Sequence, residues 1–66
     1  MNAIAYRREI SGLSQKDVAF QLGVTQGAVS QWESELSTPQ FDKLPALAKI
    51  FGCTIDELFA AERKEA

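Results

Sequence analysis

The chain has no histidine and a single cysteine, Cys53, among its 66 residues. Those two shortages exclude a great deal of chemistry. Without an imidazole there is no side chain that ordinarily titrates near neutral pH, and without a second thiol there is neither a disulfide staple nor the ligand cluster of a metal site. No glycine-rich phosphate loop and no nucleophile beside a base are present, so neither an enzyme nor a cofactor is expected. Cys53 reads as a packed thiol in a reduced compartment. Long apolar runs are also missing. The opening M-N-A-I-A-Y-R-R-E carries no signal core, and L-P-A-L-A-K-I-F is broken by Lys49, so the expectation is a cytoplasmic protein with no membrane partner. Basic charge is in deficit, with seven Lys and Arg against nine Asp and Glu, a net charge of −2 and a pI near 4.9. Its distribution is uneven. Arg7, Arg8 and Lys16 fall in the first half, whereas Asp56, Glu57, Glu62 and Glu65 lie in the last eleven residues, a pattern that polarises the molecule.

What is abundant is apolar residue at helical spacing. Hydrophobic residues are 45% of the chain, too many for disorder, and the length allows one domain that hides only about 60% of its unfolded surface. A first helix is expected over Asn2 to Ser11, with Ile4 and Ile10 turned inward alongside some of Ala3, Tyr6 and the stem of Arg7, until Gly12 stops it. Leu13 anchors the loop. Ser14 is a good N-cap with Asp17 three positions on, which predicts a second helix from Gln15 to Leu22 with Val18, Ala19 and Leu22 inside. Gly23 ends it with a positive φ, Val24 plugs the turn, and Thr25 caps a third helix. A fourth helix is expected near Asp42, which is able to cap it while Pro45 sits harmlessly in the first turn, with Phe41, Leu44, Leu47, Ala48 and Phe51 as its apolar set. Gly52 closes it, and Thr54 caps a fifth helix through Ile55, Leu58 and Phe59. The domain is expected to run over 1–66, with 60–66 a charged tail.

The third helix has two faces with opposite needs. Ala28, Val29 and Trp32 fall on one side with Thr25, while Gln26, Gly27, Ser30, Gln31 and Ser34 fall on the other. The second face carries no charge. Amides, hydroxyls and a glycine suit contact with base edges, because a glutamine pairs a donor with an acceptor as an adenine does in the major groove. Trp32 beside Val29 reads as core, and Asp56 with Glu57 as a helix start that complements its dipole. The two small residues Ala19 and Gly23 allow the second and third helices to cross sharply through a short turn.

From R-R-E-I-S-G-L-S-Q through L-G-V-T-Q-G-A-V-S-Q-W-E to L-A-K-I-F-G-C-T-I-D-E-L-F, the chain resembles the phage Cro and cI repressor family, also called the Xre family. The resemblance implies an all-α, lambda-repressor-like, compact five-helix bundle whose second and third helices form a helix-turn-helix. It implies that Gln26, Gly27, Ser30 and Gln31 match base-facing positions and that Gln15 matches a phosphate-contacting one. It also implies that Arg8 pairs with Glu33, read here as an exposed pair that contributes almost nothing to stability. The family often places glycine and then basic residues after the recognition helix, where this chain has Glu35, Leu36 and Ser37. Phosphate contacts are therefore expected from Lys16, Ser34, Ser37, Thr38, Gln40 and Lys43, with a shallow salt dependence.

The function expected on these grounds is a sequence-specific regulator of transcription, a repressor that binds a palindromic operator in double-stranded DNA as a homodimer. Ile55, Phe59 and the tail are the candidate dimer contacts. No small-molecule effector is expected, since a bundle this small has no room for a separate effector domain. The alternative is a protein-interaction or antitoxin-type module that keeps the fold and meets another protein through its acidic surface.

Overall fold

The structure is a computed structural model that describes residues 3–58. Its elements are α1 (Ala3–Ile10), α2 (Gln15–Leu22), α3 (Gln26–Glu33), a short 3-10 turn (Phe41–Lys43), α4 (Leu44–Phe51) and α5 (Ile55–Leu58). The bundle is all-helical, and its starts are written in the sequence. Ser14 accepts from the Asp17 backbone NH at 3.0 Å while the Asp17 carboxylate accepts from the Ser14 NH at 3.0 Å, a reciprocal cap for α2. That bond holds the Asp17 carboxyl below its usual range. Thr25 caps α3 through Ala28, and Thr54 with Glu57 forms a second reciprocal cap on α5.

The core gathers Val18, Ala19 and Leu22 of α2, Val29 and Trp32 of α3, and Leu47 and Phe51 of α4, with Ile4 and Leu58 closing its ends. Val18, Val29, Leu47 and Leu58 are completely enclosed. Fully burying such a side chain contributes roughly 1.5–3 kcal/mol, so the hydrophobic effect rather than helix propensity holds these short helices together.

Three expectations are corrected. Ile10 is 59% exposed, because the inward face of α1 is fixed by Ile4 and Arg8, and a residue six positions after Ile4 lies about 240° round the helix. Phe41 is 86% exposed. The α-helical phase begins only at Leu44, so a periodicity counted back to Phe41 crosses the 3-10 turn and loses its meaning. For the same reason Asp42 does not cap α4, whose first turn follows Lys43 with no side-chain cap, although Pro45 does sit where its missing NH is harmless. Asn2, Phe59 and the tail lie outside the described residues. Among the described residues no helix is long and apolar enough to cross a membrane.

Candidate nucleic-acid interface

The turn between α2 and α3 sets the geometry of the site. Gly23 adopts φ +76°, its NH donates to the Phe20 carbonyl at 3.3 Å, and the Val24 NH donates to the Ala19 carbonyl at 3.0 Å. This hydrogen-bond pair ends the helix and reverses the chain within one residue. Val24 then packs against the core, so α3 leaves the turn in a fixed direction. The buried side of α3 is Val29 and Trp32 with Ala28 packed beside them. The opposite side is open. Gln26, Gly27, Gln31 and Ser34 are exposed, and Ser30 is half-buried between them. At about 100° per residue, Gln26 and Gln31 mark the two edges of an arc about 140° wide that is free of charge. A Cβ added at Gly27 would meet only the Thr25 hydroxyl at 3.8 Å, so packing within the protein does not demand glycine there.

The far end of α3 is tied back to α1. Arg8 donates from Nε to one oxygen of Glu33 at 2.6 Å and from a terminal nitrogen to the other at 3.1 Å, and also to the Leu13 carbonyl at 2.9 Å. Gln15 donates its amide NH to the same carboxylate at 3.0 Å, and Gln26 donates to the Gln15 oxygen at 3.5 Å. The side chains of Arg8 and Glu33 are only 16% and 9% exposed, which corrects the reading of this pair as an exposed contact. Burial pushes the Glu33 carboxyl up, but the hydrogen bonds from Arg8 and Gln15 and the Arg8 charge together hold it below the usual range. The same bond to Glu33 raises the Arg8 guanidinium against the opposing effect of burial. A chain of four side chains thus runs from Arg8 through Glu33 and Gln15 to Gln26.

The other expected site residues divide by place. Lys16, Ser34, Thr38 and Gln40 are exposed, while Gln15, Ser37 and Lys43 are half-buried. Ser37 donates its hydroxyl to the Gln31 amide oxygen at 3.4 Å, a contact that sequence reasoning missed. The residue types carry no signal for it. Glu35 has φ +64°, a conformation that favours glycine, and it bends the chain so that Ser37 returns toward α3. Cys53 is half-buried and its thiol is pushed up by that burial, as suits an unreactive packed side chain.

Residues 4–58 match the family described as Helix-turn-helix. The chain is 42% identical over 50 residues to the HTH-type transcriptional activator BcrR of Enterococcus faecalis, an alignment that covers 76% of this chain and 24% of that protein. It is 31% identical over 64 residues to the uncharacterized HTH-type transcriptional regulator MJ0272 of Methanocaldococcus jannaschii, covering 97% of each. The chain therefore spans about a quarter of the activator and nearly all of the archaeal regulator. No solved structure matches. With the capped turn, the adjoining helices α2 and α3, and a family match over almost the whole described chain, this protein belongs to the helix-turn-helix family of the Xre, Cro/cI type.

Proposed function

We propose that this chain regulates transcription by seating α3 in the major groove of double-stranded DNA, with Gln26, Gly27, Ser30 and Gln31 at base edges. The observation that carries the reading is the uncharged, exposed arc of α3 set opposite a fully committed core face. An arc of amides and hydroxyls gains little by facing water alone, whereas donors and acceptors held on a rigid helix match the pattern that base pairs display in that groove. One NH of Gln26 is held by Gln15, which leaves its oxygen and its other NH for the bidentate contact that adenine invites. Gly27 lets the helix approach closely. Lys16, Ser34, Thr38, Gln40, Lys43 and the remaining NH of Gln15 supply phosphate contacts, and Ser37 belongs to the same edge.

One α3 reads too few base pairs for specificity, so the protein acts as a homodimer on a two-fold operator, with half-sites about 34–36 Å apart and a dimer contact that includes the exposed Ile55. Occupancy of such a site by a small domain represses by exclusion. Selection of bound sequences from a randomised duplex pool tests the whole reading. Enrichment of a short inverted repeat is expected. Failure to enrich any sequence, with the protein folded, would overturn it in favour of a module that meets protein through its acidic surface.

A further inference from the structure

The two glutamines at the edges of the arc are held by different partners. Gln26 is held at its nitrogen, by Gln15, and Gln31 at its oxygen, by the Ser37 hydroxyl. A primary amide has one oxygen and two NH groups, so the end that is anchored inside decides which end faces outward. For Gln31 the held end is the oxygen, which leaves both NH groups to donate. In the major groove guanine offers two acceptors, N7 and O6, while adenine offers one acceptor beside an NH2 donor. An NH2 group meets two acceptors on guanine, but on adenine it meets one acceptor and a facing donor.

We propose that Ser37 is a positioning residue that turns Gln31 into a hydrogen-bond donor and so directs it to guanine. The inference rests on the DNA-reading role proposed above for this face of α3. Two further features hold Ser37 in place. The left-handed backbone of Glu35 turns the chain back, and the Leu36 NH donates to the Gln31 carbonyl at 2.9 Å, which fixes the residue just before Ser37 to the residue it acts on. Ser37 is half-buried and Gln31 is exposed, and the bond between them lies at the surface, so the reading end stays accessible. The residue four positions beyond the end of the recognition helix thereby sets the base preference of a side chain on the helix.

The test is selection from a randomised duplex pool with the full chain, its Ser37→Ala and Ser37→Thr variants, and Gln31→Ala to identify the base pair that Gln31 contacts. Guanine is expected at that base pair for the unaltered chain. Ser37→Ala should lower the guanine-to-adenine ratio there roughly three- to tenfold, the worth of one hydrogen bond that sets orientation, and Ser37→Thr, which keeps the hydroxyl, should restore it. Adenine at the Gln31 position of the unaltered chain, or a ratio that Ser37→Ala leaves unchanged, overturns the proposal, and the first result is obtained whether or not the alanine variant folds. A pool that yields no enriched sequence for the unaltered chain instead overturns the DNA-reading role itself, so the two failures are told apart.

Discussion

The two ends of the segment that flanks α3 close their helices with one hydrogen-bond pattern and seal them in different ways. At the α2 end the left-handed residue is Gly23 and the next residue, Val24, packs on the core. At the α3 end the left-handed residue is Glu35, whose NH donates to the Trp32 carbonyl at 3.2 Å, and the next residue, Leu36, is 77% exposed. The ends of α1 and α4 share the first pattern, with Leu13 and Cys53 in the sealing position. The end of α3 thus lacks an apolar seal, and the bonds from Arg8 to Glu33 hold it to the bundle instead. The far end of α3 is held by directional polar contacts as well as by the buried Val29 and Trp32, and the surface beside it stays open.

The largest effect expected from breaking this arrangement comes from Arg8→Ala. It strands the Glu33 carboxylate, 9% exposed, with only Gln15 to bond it, and should cost about 2–4 kcal/mol in a urea titration. The same pair gives the comparison a pH dependence. Because the folded Glu33 carboxyl lies below its ordinary value, its stabilising contribution is present above that ordinary value and is lost as pH falls through the lower folded one. Urea titrations repeated on the acid side should show this loss in the unaltered chain and a smaller one in Arg8→Ala.

Exchanging the left-handed residues sharpens the comparison next. No atom lies within 4 Å of a Cβ at Gly23, so Gly23→Ala costs backbone strain alone, about 1 kcal/mol, and Glu35→Gly should gain a similar amount. Thermal melts that move in opposite directions by comparable amounts are the expected result; a destabilised Glu35→Gly would mean that the glutamate side chain holds the bend. The smallest effects concern the sealing positions. Val24→Ala should lose about 1 kcal/mol, whereas Leu36→Ala should stay within about 0.5 kcal/mol, both read from denaturant midpoints at constant m-value.

Much of this architecture is legible in the residues because each local signal agrees with the fold around it. Ser14 with Asp17, Gly23 and Thr25 specify the start and end of α2 and the start of α3 without reference to anything distant, and Val29 with Trp32 selects the buried side. Ile10 departs from expectation because Ile4 and Arg8 fix which face of α1 turns inward, and Phe41 because the helical phase of α4 does not extend back through the 3-10 turn. The enclosure of Arg8 and Glu33 depends on how α1 lies against α3, which no local pattern encodes. Glu35 lies beyond local inference for a related reason. A glutamate carries no signal for a left-handed backbone, and the conformation is imposed by the end of α3 on one side and by the return of Leu36 to the Gln31 carbonyl on the other. The candidate site divides the same way: its exposed arc comes from the helical period, while the partners that orient Gln26 and Gln31 emerge only from the packed chain.

Whether the outward arc of α3 distinguishes bases is read by titrating Gln26→Ala against both a selected operator and a randomised duplex at fixed salt. A loss of about 1–3 kcal/mol on the operator is expected, with binding to the randomised duplex nearly unchanged. An equal loss on both duplexes would contradict it.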